Sequence, residues 1–147
     1  MNFDNISKLF SSISSCDLII LPEMFNSGFS MDSSKIAEKP NGNSLEWLKG
    51  FAKNKNAEVI ASLAIMDNGK YYNRLYCISP NGDLKYYDKR HLFRMAGENK
   101  YYKPGIENIT LKIKGVRIRP MICYDLRFPV WSRNKANNEY DCLIYIA

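Results

Sequence analysis

Glu23, Lys89 and Cys123 are of the types that carry out acyl transfer, and each falls where a run of chain that reads as a strand comes to an end. A thiol attacks a carbonyl-type carbon once a base takes its proton, a carboxylate can be that base, and a cation can hold the charge that develops on oxygen. Strand ends are also where active sites collect in α/β folds. Cys123 lies between an apolar strand and a helix opened by Pro129, so free backbone N–H groups and the positive helix end are expected to favour its thiolate and to offer an oxyanion site. His91, the single histidine, is the competing base, because a Cys and His pair is a common way to activate a thiol. Each residue also has a plainer reading: a packed core thiol for Cys123, an exposed loop carboxylate for Glu23, a solvated strand-end charge for Lys89 and a packing role for His91.

The elements that must position these side chains follow from apolar spacing. Phe3, Ile6, Leu9, Phe10 and Ile13 form a stripe at helical period, and Leu18 to Leu21, stopped by Pro22, read as a short buried strand that ends at Glu23. After a loop from Asn26 to Asn43, broken by 31–39, Ser44 is the expected N-cap of a helix carrying Leu45, Leu48, Phe51 and Ala52. Strands are expected at Val59 to Met66, Tyr72 to Ser79 and Leu84 to Tyr87, with turns at Asp67-Asn68-Gly69 and at Pro80 to Asp83; Lys89 lies at the exit of this meander. Ile109 to Ile113 and Val116 to Cys123 pair as a hairpin around Lys114-Gly115. Pro129 opens a helix expected to reach Lys135, and Cys142 to Ile146 is a last strand. The alternation predicts an α/β fold with a mixed sheet and helices on one face.

Composition narrows the classes further. The chain has 147 residues, 46% of them hydrophobic, enough for one domain with a real core, and no apolar run long enough to span a bilayer. Its start lacks the basic and apolar regions of a secretory leader, which makes the cytoplasm the expected location. Cys16, Cys77, Cys123 and Cys142 are separated by 61, 46 and 19 positions, so no paired-cysteine metal or redox motif exists and free thiols are expected. The net charge of +6 is concentrated: ten basic residues stand against three acids between 85 and 119, interleaved with Tyr86, Tyr87, Tyr101 and Tyr102. Such a stretch could track nucleic acid, but no reader motif accompanies it, and a solvated face or attraction of an anionic small molecule is expected instead.

Three blocks of residues resemble the signature of the nitrilase, or carbon-nitrogen hydrolase, superfamily. They are Leu21-Pro22-Glu23-Met24-Phe25 with Ser27 to Met31, Asp88-Lys89-Arg90-His91-Leu92-Phe93, and Cys123-Tyr124-Asp125-Leu126-Arg127-Phe128-Pro129. The runs 93–98 and 130–134 are most like its omega-amidase branch. The resemblance implies a four-layer α-β-β-α sandwich and a catalytic set of Glu23 as general base, Lys89 as cationic partner, Cys123 as nucleophile and Glu98 as support for the lysine. It also implies that the Tyr124 backbone N–H shares the oxyanion with Lys89 and that no metal or organic cofactor takes part. The substrate would be the terminal amide of a small 2-oxo acid, cleaved through a cysteinyl thioester to carboxylate and ammonia. Arg127 is expected either to pair with Asp125 and orient the turn or to meet a substrate carboxylate.

Family members carry a strand before the first helix and nearly as much chain again beyond Cys123, so residues 1–147 read as a partial domain, short at both ends. The sheet face carrying Val116, Ile118, Ile122, Leu143, Ile144 and Ile146 is then expected to lie open and the chain to self-associate, as full-length relatives are expected to be homo-oligomeric. Other reactions of the superfamily, on nitriles, N-carbamoyl compounds or deaminated glutathione, and an inactive remnant stay open on these residues.

Overall fold

A computed structural model describes residues 3–147; the reading of the first residues against a secretory leader extends to Met1 and Asn2, which lie outside them. Helix α1 (Phe3–Leu9) is shorter than its apolar stripe. The serines that follow compete for backbone groups, and the Ser11 hydroxyl donates to the Lys8 carbonyl at 2.7 Å. Strand β1 (Leu18–Ile20) leads through the short α2 (Ser33–Ile36) to α3 (Asn43–Lys55). Helix α3 begins at Asn43 with Gly42 as its cap, two residues before the expected Ser44. The reason is Glu38, whose carboxylate accepts both the Ser44 N–H and the Ser44 hydroxyl, a loop residue doing what the serine was expected to do itself.

Strands β2 (Glu58–Asp67), β3 (Lys70–Ile78) and β4 (Leu84–Asp88) continue antiparallel from β1, which pairs parallel with β2, giving the order β1-β2-β3-β4. The β2–β3 turn places Asn68 and Gly69 at φ 48° and 72°, the left-handed pair a tight hairpin needs. After an irregular segment containing α4 (Glu98–Tyr101), strands β5 (Leu111–Ile113), β6 (Val116–Ile122) and β7 (Cys142–Ile146) make a separate three-stranded sheet. The single mixed sheet expected from the alternation of elements is therefore two, as the four-layer sandwich implied by the family resemblance requires. Its sequence trace is the unbroken apolar run of β2: residues on both faces of that strand are buried, which one layer of helices could not achieve.

Leu45, Leu48, Phe51 and Ala52 of α3 cover Val59, Ala61, Leu63 and Ile65 on one face of β2. On the other face Ile60, Leu75, Cys77 and Tyr87 pack against Leu111, Ile113, Ile118, Ile122 and Ile146 of the second sheet. The face expected to lie open is thus largely closed, because the first sheet is itself the partner it needs; Ile122 is fully buried and only Val116, at the hairpin end, is exposed. Helix α5 (Pro129–Ser132) stops three residues short of Lys135, where Asn134 instead bridges to the backbone of Tyr140. Among the described residues no helix is long and apolar enough to cross a membrane.

The basic stretch does not form one face. Lys89 and Arg119 are buried, Arg117 pairs with Glu139 and Asp141, and Arg90 donates to the Gly105 carbonyl beneath Trp131.

Candidate active site

Four chain segments converge on one buried cation. Leu21 still donates to the Ile60 carbonyl at 2.8 Å, so β1 is held to its neighbour until Pro22 ends the ladder and Glu23 turns inward. The next residue, Met24, is buried with φ 46°, and its N–H is fixed by the Ser62 hydroxyl at 2.8 Å. Lys89 leaves β4 with its N–H bonded to the Asn73 carbonyl at 2.9 Å and its side chain wholly enclosed. The Lys89 Nζ donates to Glu23 Oε1 at 2.8 Å and to Glu98 Oε2 and Oε1 at 3.0 and 3.2 Å. Glu98, the first residue of α4, is buried and also accepts the Phe93 N–H at 2.5 Å.

A fourth member was not foreseen. The Asn73 side-chain amide donates to Glu23 Oε1 at 2.7 Å and to Glu98 Oε1 at 3.2 Å, so it bridges the two carboxylates from the middle of β3. Its one signal in the sequence is an amide, within a strand, at a position that proves fully buried. Burial alone would lower the Lys89 pKa, but the charges of Glu23 and Glu98 and their hydrogen bonds more than reverse it and hold the ammonium above its ordinary value. Both bonds to Glu23 fall on Oε1, and neither on Oε2.

Cys123 follows β6 at φ 41°, a left-handed conformation that a residue with a Cβ adopts only when its surroundings enforce it. The thiol is partly buried. Burial, and then the charge of Glu23, push its pKa up, while Lys89 pulls the other way without reversing the shift. The shift runs against the expected stabilised thiolate: the turn Cys123–Arg127 is a single 3-10 turn with little dipole to offer, and the charge of Glu23 outweighs that of Lys89. A thiol with a raised pKa can attack a carbonyl carbon only if a neighbouring group takes its proton, and a carboxylate is one such group.

His91 is engaged away from the thiol, and the charges that bear on Cys123 are those of Glu23, Lys89 and Glu98. Its ring stacks on Phe128 at 3.8 Å, and Nδ1 lies 2.8 Å from Asp125 Oδ1. The expected Asp125–Arg127 pair is absent as well. Asp125 is buried and engaged by Tyr87, His91 and the Ile122 N–H, whereas Arg127 is exposed. Tyr124 packs its ring between Phe93 and Phe128, which leaves its backbone N–H as the first donor after the nucleophile.

The carbon-nitrogen hydrolase family model matches residues 2–147. The chain belongs to the carbon-nitrogen hydrolase family. It is 40% identical over 146 residues to omega-amidase YafV of Escherichia coli K12, covering 99% of this chain and 56% of that protein. It is 33% identical over 134 residues to the 2-oxoglutaramate amidase of Bacillus subtilis, covering 89% of the chain and 52% of that protein. Among solved structures, XC1258 of Xanthomonas campestris, a carbon-nitrogen hydrolase superfamily protein with an arsenic adduct in its active site, superposes with TM-score 0.94 at 37% identity. That match covers 99% of this chain and 57% of the other. The chain thus spans little more than half the length of these hydrolases, and its α/β architecture is that of the nitrilase superfamily.

Proposed function

We propose that the chain carries the catalytic half of an omega-amidase-type hydrolase, acting on the terminal amide of a small 2-oxo acid. The observation that carries this reading is the Glu23–Lys89–Glu98 cluster set beside the partly buried Cys123 in a chain so similar to omega-amidases. Glu23 takes the thiol proton as Sγ bonds to the amide carbon, and the carbonyl oxygen gains the negative charge. Lys89 Nζ and the Tyr124 N–H hold that oxyanion; each such donor is worth about 100-fold to 1,000-fold in rate. The carbon-nitrogen bond then breaks, Glu23 returns its proton to the leaving ammonia, and a thioester remains on Cys123. Water, deprotonated by Glu23, cleaves the thioester to a carboxylate and restores the thiol.

A cleft of about 630 Å³ opens beside Tyr124, bordered by Arg90, Arg94 and Lys103 and by none of Glu23, Lys89, Glu98 or Cys123, so its charge would draw an anionic 2-oxo acid toward the site without itself holding the amide. Arg127, exposed on the same turn as the nucleophile, is a further cation available to a substrate carboxylate. Ammonia release from 2-oxoglutaramate, measured beside a simple nitrile, an N-carbamoyl amino acid and deaminated glutathione, tests the reading; turnover of one of the others in preference would replace it. We also infer that the isolated chain self-associates, since Leu126 and Val130 are 60% and 66% exposed beside the elbow and β7 pairs on one side only. Light scattering during size exclusion would show a monodisperse monomer if this is wrong.

A further inference from the structure

We infer that Asp125 is a positioning residue that ties the nucleophile turn to the lysine strand exit and so sets where the Cys123 thiol stands. The inference rests on the reading of Cys123 and Glu23 given above and concerns a carboxylate that takes no part in it. Asp125 Oδ1 accepts the His91 N–H at 2.9 Å and lies 2.8 Å from His91 Nδ1. Oδ2 accepts the Tyr87 hydroxyl at 2.8 Å and the Ile122 N–H at 3.2 Å. The Tyr87 hydroxyl in turn accepts the Arg90 N–H at 3.1 Å and the Trp131 indole N–H at 3.3 Å.

The placement of these bonds is what gives them meaning. Ile122 directly precedes Cys123, and Tyr87 and Arg90 bracket Lys89 within two residues. One buried carboxylate and one buried hydroxyl therefore fasten the chain on both sides of the lysine and on the approach to the nucleophile, across β4, β6 and α5. Cys123 needs such fastening, because its φ of 41° is unfavourable for any residue but glycine and persists only where the surroundings over-determine it. Without Asp125 the turn relaxes, and the thiol moves away from Glu23 and out of its partly buried niche.

The pH at which Cys123 is half-maximally alkylated by iodoacetamide, followed by peptide mass mapping, reads this position. Cys77, buried in the same inter-sheet core, serves as the reporter of an intact fold. In the parent chain the Cys123 midpoint lies above the ordinary thiol value of about 8.5. Asp125→Asn keeps the size but sets an amide donor against the Ile122 and Tyr87 donors; the midpoint is expected to fall by about one pH unit as burial and the Glu23 charge lose their hold, with Cys77 still protected. An unchanged or higher midpoint with Cys77 protected overturns the inference. If Asp125→Asn exposes Cys77, Tyr87→Phe decides instead, with a smaller fall expected and an unchanged midpoint overturning it. Glu23→Gln is the separate arm: it should also lower the midpoint, and if it does not, the reading of the site itself fails, whereas failure of Asp125→Asn alone removes only the positioning role.

Discussion

Two buried cations sit next to each other in this fold, and only one of them is in a position to do chemistry. Asn73 and Arg74 are consecutive on β3 and so point to opposite faces of the sheet. On one face Asn73 joins Lys89, Glu23 and Glu98; on the other the Arg74 guanidinium is held by Asp88 at 2.7 Å and Asp67 at 3.0 Å, with the Tyr86 ring 4.1 Å away. Both cations lie between two carboxylates, and both are held above their ordinary pKa against the opposing effect of burial. What separates them is the neighbour. The lysine cluster borders a thiol, while the arginine cluster borders tyrosine rings and offers no group that can change bonds. Burial and strong charge coupling are therefore shared by a structural pair and a reactive one, and only a nucleophile within reach tells them apart.

The largest expected effect is on chemistry alone. Cys123→Ala should abolish ammonia release in a turnover-competent protein, while Cys16→Ala, Cys77→Ala and Cys142→Ala retain it; residual turnover in Cys123→Ala would show that the thiol is not the nucleophile. Glu23→Gln should cost about 100-fold to 10,000-fold in kcat, the usual range for a lost general base.

Substituting the two cations sharpens the contrast most directly. Lys89→Gln leaves two buried carboxylates unpaired and should lower unfolding stability by about 3–5 kcal/mol in urea titrations, and Arg74→Gln, whose partners Asp67 and Asp88 are partly exposed, should lower it by less. Only Lys89→Gln should also raise the pH of half-maximal Cys123 alkylation, because Lys89 is the group pulling that pKa down. A matching rise in Arg74→Gln would mean the two networks are coupled through β3 and the comparison fails.

His91→Gln should change kcat by less than about tenfold, since its ring is held by Asp125 and stacked on Phe128. A loss as complete as that of Glu23→Gln, with the fold intact, would restore the histidine as base.

The smallest effect belongs to an ion pair in open solvent. Hydrogen bonds from Arg117 hold the Asp141 carboxyl down at about 2, below its unfolded value, so its contribution is present above the ordinary carboxylate range and disappears as pH falls toward about 2. Asp141→Asn should accordingly lower Tm slightly at pH 7 and leave it unchanged near pH 1.5, with the difference shrinking in high salt.

The cluster around Lys89 was legible because its members punctuate the chain. Glu23, Lys89 and Cys123 each follow a run that reads as a strand, and strand ends can be found from period and turn residues. Asn73 was hidden for the opposite reason: it lies inside a strand, and nothing local says which face of that strand is sealed. Asp125 was given the wrong partner because Arg127 is two residues away, whereas Tyr87 and His91 reach it only after β4 and β6 stack. The same stacking is implied by the family resemblance but not by element alternation, since a continuous apolar β2 is compatible with one sheet or two; it closes a face expected to be open. The thiol pKa turns on length: a 3-10 turn follows Cys123, and the helix expected to lend its dipole is only four residues long.

The left-handed backbone at Cys123 has a bearing on how such chains change over time. A residue with a side chain held there costs about 1–3 kcal/mol of stability that glycine would not. Cys123→Gly would then give a sturdier but inert protein. Selection for turnover must continually oppose drift toward that residue, and a lineage released from the reaction would be expected to lose its nucleophile first by gaining stability.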